Sequence, residues 1–127
     1  MNANELRIGN YVNLKDKGLY KIDWGYDLEK IEDWEGTDYC TPIPLTEDWL
    51  LKFGFVHNKS VNEDGELLIN NYTLKIDKYS TIVIEDDFSF GIENEIESVI
   101  FDNDVLKSVH RLQNLYFALT QKELTIN

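Results

Sequence analysis

The hydrophobic pattern divides the chain into a β-rich first third, a short central helix, a run of alternating strands and a C-terminal helix. The central helix is marked at both ends within the stretch Pro42–Phe55. Thr46 occupies the N-cap position, where its hydroxyl can accept a hydrogen bond from a free amide. Gly54 follows the helix as a left-handed capping residue, while Trp49 and Phe53 form an apolar face. Because so short a helix is unstable alone, we predict that it packs across a sheet.

The first third alternates as short strands do and predicts a small, bent, SH3-like sheet. Residues 11–14 and 19–24 fit two strands with apolar positions at every second residue. The stretch 26–34 fits a third strand, an acidic loop or a helix, and these alternatives remain open at this point. Residues 35–41 have the composition of a loop.

The second half predicts an antiparallel meander followed by a helix. Residues 67–101 alternate between apolar and polar positions in about four segments, as antiparallel strands do. Residues 105–119 change to spacings of three and four, which predicts an amphipathic helix closing over one face of the meander. The start of that helix is open, because Asp104 and Ser108 both suit an N-cap, and residues 105–107 could instead extend a strand after a turn at 102–104. Thr120–Glu123 has the spacing of a capping box and predicts one more helical turn.

These elements predict the α+β class. The mostly antiparallel sheet comprises an N-terminal SH3-like hairpin region and a C-terminal four-strand meander, with a short central helix and a C-terminal amphipathic helix. The length fits a single domain over residues 1–127. The alternative is a subdivision into a small β subdomain at 1–41 and a helix–meander–helix part at 42–127.

Charge is the strongest signal in the composition. The formal net charge is −12, and the acids form two blocks. Residues 23–48 contain nine acids and one base, and residues 81–104 contain eight acids and no base. Such a surface repels nucleic acid and anionic lipid, so we expect no direct nucleic-acid binding, no membrane binding and a protein partner with a basic surface. The plainer interpretation is that the acids keep an aromatic-rich protein soluble.

The residues that we predict to contact a basic partner come from both acidic blocks. Aromatic side chains among charges are typical of recognition surfaces, so one tryptophan is included. The first block supplies Asp27, Glu29, Glu32, Asp33 and Trp34. The second block supplies Asp86, Asp87, Glu93, Glu95 and Glu97.

Candidate catalytic and metal-binding groups are few, and we expect a non-enzymatic protein with no cofactor and no metal site. Cys40 is the single cysteine, which excludes an internal disulfide and a multi-cysteine zinc site. It could serve as a nucleophile with His57 or His110 as its base, but no catalytic signature surrounds it. The alternating glutamates within 93–97 share a face if they lie in one strand, yet an oxygen-ligated metal needs six or more ligands.

The location that the sequence predicts is the cytoplasm. A single cysteine suits a reducing compartment. No apolar run approaches the length of a membrane span, and Met1–Glu5 does not have the features of a signal peptide.

Three stretches together resemble a group of small uncharacterised proteins encoded by phages and prophages of gut-type bacteria. They are ELRIGNYV from Glu5, PIPLTEDWLLKFGF from Pro42 and VHRLQNLYFALT from Val109. That group carries no assigned activity, so the resemblance implies a cytosolic accessory phage protein and no functional residue.

Taken together, the sequence favours a non-enzymatic protein-binding module. In a phage setting, such a module would inhibit a host or anti-phage defence protein through an acidic surface that imitates nucleic acid. The alternative is a small structural or assembly protein that forms a homo-oligomer through an edge strand of the meander.

Overall fold

The computed structural model describes residues 3–23, 25–34, 37–94, 98–101 and 107–126. After a 3-10 turn at Ala3–Glu5, the elements follow in chain order. They are β1 (Tyr11–Leu14), β2 (Gly18–Lys21), α1 (Gly25–Asp33), β3 (Cys40–Thr41), α2 (Glu47–Lys52), β4 (Val56–Val61), β5 (Leu67–Lys75), β6 (Thr81–Glu85), β7 (Phe90–Glu93), β8 (Ser98–Phe101) and α3 (Val109–Thr120).

The strands form two antiparallel sheets, and the predicted α+β class is confirmed. The first sheet has the order β2-β1-β3, and the second has the order β4-β5-β6-β7-β8. The predicted meander is present as β5 to β8, and β4 adds a fifth strand at its edge. The chain divides into a first unit, Met1–Leu45 with Ser108–Glu123, and a second unit, Thr46–Lys107 with Leu124–Asn127.

The first unit is built on the β1–β2 hairpin. Val12 pairs with Tyr20 across the hairpin, and Leu14 pairs with Cys40 of β3. Ile31 brings α1 into the same core, where it is 2% exposed. The stretch 26–34 is therefore helical up to Asp33, because the helical period alone buries Ile31 while turning the acids beside it outward. The predicted loop 35–41 ends in the short strand β3, which pairs with β1.

Helix α3 belongs to the first unit and contacts β1, so the prediction that it covers the meander is wrong. The helix begins after Ser108, whose backbone is extended and whose hydroxyl makes no capping bond. It ends at Thr120, because Gln121 adopts the left-handed conformation with φ of 60°. The extra helical turn that was predicted through Leu124 is therefore also wrong. Val105, where the predicted helix began, lies outside the described residues.

Polar side chains of α3 explain why the helix docks on the first unit. Gln113 is fully buried, accepts from the Tyr11 amide at 2.9 Å and donates to the Gly9 carbonyl at 2.9 Å. Asn10, also fully buried, donates to Asn114 at 3.0 Å. A buried amide must be paired to avoid a desolvation penalty, so these bonds specify both the position and the rotation of α3.

The second unit contains the central helix, α2, as the sequence predicts. Gly54 has φ of 97°, and its amide donates to Leu51 while the Phe55 amide donates to Leu50. These two bonds form a Schellman motif at the helix end. Thr46 lies at the N-cap, but its side chain makes no capping bond.

The five-stranded sheet of the second unit has a buried central row and an exposed edge. Tyr72, Ile84 and Phe90 are neighbours across β5, β6 and β7, and all three are buried. At the edge, β5 extends beyond β6, so residues 67–70 pair only with β4. This edge exposes apolar side chains: Val56, Val61, Leu67, Leu68 and Ile69.

Candidate functional site

Helix α1 carries most of the first group of predicted contact residues on one face. Glu29, Glu32 and Asp33 are exposed, and their spacing of three and four makes them neighbours on the helix surface. Ile31 is buried in the core of the first unit. Asp27 lies in the same helix, but its side chain is outside the described part of the structure. We call Glu29, Glu32 and Asp33 the acidic face of α1.

Trp34 follows the helix and packs half-buried against the same core. Its ring centre lies 4.3 Å from that of Tyr39, with the two planes tilted by 52°. The Tyr39 hydroxyl donates to the Asp16 carboxylate, and this bond raises the pKa of Tyr39. Trp34 therefore follows the last acid of α1, Asp33, in the chain and forms an aromatic pair with Tyr39.

A pocket of about 300 Å³ lies beside α1, within the first unit. The rings of Tyr20, Trp34 and Tyr39 line it, together with the side chains of Lys17 and Lys30. The ammonium of Lys17 lies 5.6 Å from the centre of the Tyr20 ring, within the range of a cation–π contact. We call this space the Trp34 pocket.

Three further residues line the Trp34 pocket, two of them buried and apolar and one of them an exposed acid. Leu14 and Ile31 supply apolar surface from the core, and Asp33 adds one carboxylate. Lys17 and Asp33 are exposed, so the pocket reaches the protein surface. The two lysines and Tyr20 were not among the site residues predicted from the sequence. The pocket forms where the β1–β2 turn and α1 line one space, and no spacing along the chain signals that meeting.

The second acidic group is divided within the second unit: Asp86 and Asp87 lie in the turn between β6 and β7, whereas Glu93 lies at the other end of that hairpin, opposite Thr81. Asp87 accepts from the Ser89 amide at 2.9 Å and from the Ser89 hydroxyl at 2.6 Å, and these bonds lower the pKa of Asp87. Burial and the charges of Asp86 and Asp87 raise the pKa of Glu85. Glu93 is exposed at the end of β7. Glu85 therefore adds a carboxylate that the sequence analysis did not select.

The two remaining predicted residues, Glu95 and Glu97, lie outside the described residues. Helix α1 belongs to the first unit, whereas the β6–β7 turn belongs to the second.

The candidate nucleophile and bases have other partners. Cys40 is buried in the core of the first unit, and burial raises the pKa of its thiol, which disfavours the thiolate that a nucleophile needs. His57 Nε2 lies 2.7 Å from Asn70 Oδ1, and its ring stacks on Tyr72 with centres 4.5 Å apart. His57 Nδ1 lies 3.6 Å from a Glu47 oxygen.

His110 is 1% exposed and belongs to α3. Its Nε2 lies 3.5 Å from Glu5 Oε1, and neither ring nitrogen has a hydrogen-bond partner among the described residues. Burial lowers the pKa of His110. The nearby Glu5 carboxylate opposes that effect, while the positive charges of Arg111 and the amino terminus add to it. The imidazole is therefore held in its neutral form at neutral pH.

No group of three or more His, Cys, Asp or Glu side chains among the described residues is placed to hold a metal ion. No helix in the described part of the chain is both long and apolar enough to cross a bilayer. No protein family, curated protein or solved structure matches the chain, so the functional argument rests on geometry and charge.

Proposed function

We propose that this chain is a non-enzymatic protein-binding module of the phage accessory type, acting in the cytosol on a partner with a basic surface. The observation that carries the proposal is the acidic face of α1. Three carboxylates lie next to one another on a helix whose apolar side is already used in the core. In this proposal the partner is a nucleic-acid-handling host or defence protein, and the acidic face occupies its basic cleft.

Charge and side-chain rigidity both support binding at this face. A net charge of −12 accelerates the approach of a basic partner, and adjacent carboxylates give that attraction a defined place. Helix positions hold carboxylates more rigidly than loop positions do, which lowers the entropy lost on binding. Trp34, directly after the helix, supplies an aromatic contact of the kind that dominates many interfaces.

The test compares the natural protein with a variant in which the acidic face is neutral, Glu29→Gln/Glu32→Gln/Asp33→Asn. Each protein is immobilised, incubated with bacterial lysate at low salt and eluted with rising salt. We expect the natural protein to retain a basic protein that salt releases, and the variant to lose it. Binding of the purified partner should then be competed by duplex DNA, because both ligands would occupy one cleft.

A matched control tests whether binding depends on where the carboxylates lie or only on the net charge of the protein. Glu63→Gln/Asp64→Asn/Glu66→Gln changes the net charge by the same three units at the exposed β4–β5 turn. The control should retain the partner. Equal loss from both variants would show that net charge alone attracts the protein, and retention by both would show that α1 takes no part.

A homo-oligomeric assembly protein is the second candidate, and the exposed edge of the five-stranded sheet favours it. β4 is an edge strand, and Leu68 beside it is 63% exposed. Long apolar edges of this kind pair readily with another strand, whereas a lysine placed there opposes pairing. We expect light scattering after size exclusion to give a dimer mass that Leu68→Lys/Val61→Lys reduces to the monomer. A monomer mass at every concentration of the natural protein would remove this candidate.

A further inference from the structure

We propose that β4 pairs with β4 of a second copy of this chain, antiparallel and centred on Ser60, so that the two sheets join edge to edge. In this register Lys59 of each copy lies opposite Val61 of the other. The inference rests on the second candidate function, assembly of copies, and it names the strand and the register through which they meet. It is independent of the acidic face of α1.

The backbone of β4 presents hydrogen-bonding groups to an open edge. β4 is the outer strand of its sheet, and the amide of Asn62, directly after it, donates to the Glu66 carbonyl at 2.9 Å. The backbone of Asn62 therefore faces β5. Because successive residues of a strand face opposite sides, Ser60 also faces β5, whereas Lys59 and Val61 direct their amides and carbonyls outward.

Hydrogen bonds on the far side of β5 agree with this assignment. The Ile76 amide donates to the Ser80 carbonyl at 3.0 Å, toward β6. Every second residue of β5 before Ile76 therefore also faces β6, and the residues between them face β4. Asn71 is one of the latter, and its partner in β4 is Asn58. Asn58 and Ser60 are both directed to β5, which leaves the outward set as stated.

The outer part of the β4–β5 hairpin lacks the support of a third strand. Residues 67–70 pair only with β4 among the described strands, and a two-stranded ribbon is at best marginally stable alone in water. Val61 is 54% exposed and Leu68 is 63% exposed. Apolar edges of this kind accept a further strand. A second β4 makes the ribbon four-stranded.

Charge favours a second copy as the occupant and selects the register. β4 contains one lysine, Lys59, and no acid. The turn that follows it contains three acids, Glu63, Asp64 and Glu66. Antiparallel pairing centred on Lys59 places like charges opposite each other, which destabilises a sheet. Centring on Ser60 separates the two lysines and puts Glu63 diagonally across from Lys59 of the second copy, within reach of long side chains.

The neighbouring registers do not bring these groups together. Centring on Asn58 moves the acidic turn of one copy past Lys59 of the other. Centring on Val61 requires Asn62 and Glu63 to extend the strand, but the Gly65 amide donates to the Asn62 carbonyl at 3.0 Å and closes the turn there. Ser60 is therefore the centre that uses β4 as it stands.

The net charge of the chain predicts how the dimer responds to salt. Two copies that each carry −12 repel one another, and salt screens this repulsion beyond about 8 Å at physiological ionic strength. The contacts across the paired strands are shorter than that. We therefore expect the dimer to tighten as salt is raised, whereas capture of a basic protein by α1 weakens.

The main test replaces Ser60 with cysteine. In the proposed register this position and its mate form a non-hydrogen-bonded pair with Cα atoms about 4.5 Å apart, within the range of about 4.4–6.8 Å that a disulfide spans. Diamide, which takes two electrons and two protons from a thiol pair, should therefore link Ser60→Cys into a covalent dimer. The natural Cys40 is buried, so its thiol should not contribute.

Val56→Cys is the matched control for cross-linking. Val56 belongs to the same strand and is 60% exposed. It lies about four residues from the proposed axis, so its mate is about 27 Å away at about 3.4 Å per residue. On a non-reducing gel this variant should stay mostly monomeric while Ser60→Cys becomes mostly dimeric.

Charge reversal tests the placement of Lys59. In Lys59→Glu the new carboxylate lies beside the acidic turn of the other copy, so the dissociation constant from sedimentation should rise about tenfold. Adding Glu63→Lys should restore it. Lys75→Glu makes the same change in net charge at an exposed position of β5 and should raise the constant less than about twofold.

The outcomes separate this inference from the functions on which it does and does not rest. A dimer in which Ser60→Cys links no faster than Val56→Cys overturns the register and leaves assembly standing. Equal effects of Lys59→Glu and Lys75→Glu also overturn it, because net charge then explains the loss. A monomer at every concentration and salt removes both assembly and this register, and it does not bear on capture of a basic protein by α1.

Discussion

The substitution Gln113→Leu tests whether buried polar contacts hold α3 on the first unit. Gln113 is fully buried, and its amide group joins the Tyr11 amide to the Gly9 carbonyl. Leucine has a similar size but can make neither bond. The substitution therefore removes the partners of two backbone groups while it leaves the volume of the core nearly unchanged.

The cost follows from the burial of those two groups. A buried polar group that loses its partner costs about 1–3 kcal/mol. The bond to the Tyr11 amide is buried, so its loss falls toward the upper end of that range. The bond to the Gly9 carbonyl is only partly buried, so its loss falls toward the lower end. We expect the free energy of unfolding to fall by about 2–4 kcal/mol, which at a typical urea slope lowers the midpoint by about 1–2 M.

The assay is urea unfolding with hydrogen exchange as a local readout. Faster exchange should concentrate in α3 and β1, because the lost bonds join those two elements. Ala118→Leu is the matched control, since it introduces leucine at an exposed position of the same helix and should change stability by less than about 0.5 kcal/mol. A loss no larger than that control's in Gln113→Leu would refute the reasoning.

The charge of the side chain gives a second check at the same position. Gln113→Glu keeps an oxygen for the Tyr11 amide but, when ionised, places an oxygen against the Gly9 carbonyl. Its deficit relative to the natural protein should shrink as pH falls, because the protonated acid can donate to that carbonyl. A deficit that does not depend on pH would show that shape, and not hydrogen bonding, decides the effect.

Three further predictions concern pH, backbone conformation and thiol reactivity. Because burial lowers the pKa of His110, this residue binds fewer protons in the folded chain than in the unfolded chain below about pH 6.5. The stability that depends on His110 should therefore fall as pH falls below that value, by up to about 1.4 kcal/mol per pH unit. His110→Asn should flatten the pH dependence in urea titrations, and an unchanged slope would contradict the assignment. Gly54→Ala should lower the unfolding free energy by about 1–2 kcal/mol, since φ is 97°, whereas Lys52→Ala nearby should have little effect. Cys40 should resist Ellman's reagent until urea unfolds the first unit, and rapid reaction of the folded protein would contradict its burial.

Features that depend on neighbouring residues could be predicted from the sequence. The end of α2 is an example, because Gly54 can take a left-handed conformation that closes a helix within a few residues. The strands β5 to β8 are another, since alternation along each strand reports which face meets the core. The acidic character of α1 was also evident, although its helical form was one of three open alternatives.

Features that depend on residues far apart in the chain could not be predicted in this way. Hydrophobic periodicity marks α3 as amphipathic, but it does not name the surface that the helix covers. The choice is made by Gln113 and Asn114, which bond to the segment around Asn10 more than a hundred positions away. A buried glutamine in a helix has no local pattern, so the sequence assigned α3 to the meander and the structure assigns it to the first unit.

The Trp34 pocket also depends on residues that lie far apart in the chain. The sequence by itself determined an acidic, aromatic-rich α+β chain and singled out Trp34 as a contact residue. Only the tertiary structure brought Lys17 from a hairpin turn and Lys30 from a helix to one space. Local propensities arise from short-range sterics and hydrogen bonds, so they can be predicted from the sequence. A binding site arises from the packing of separate elements, and its composition is decided only when those elements meet.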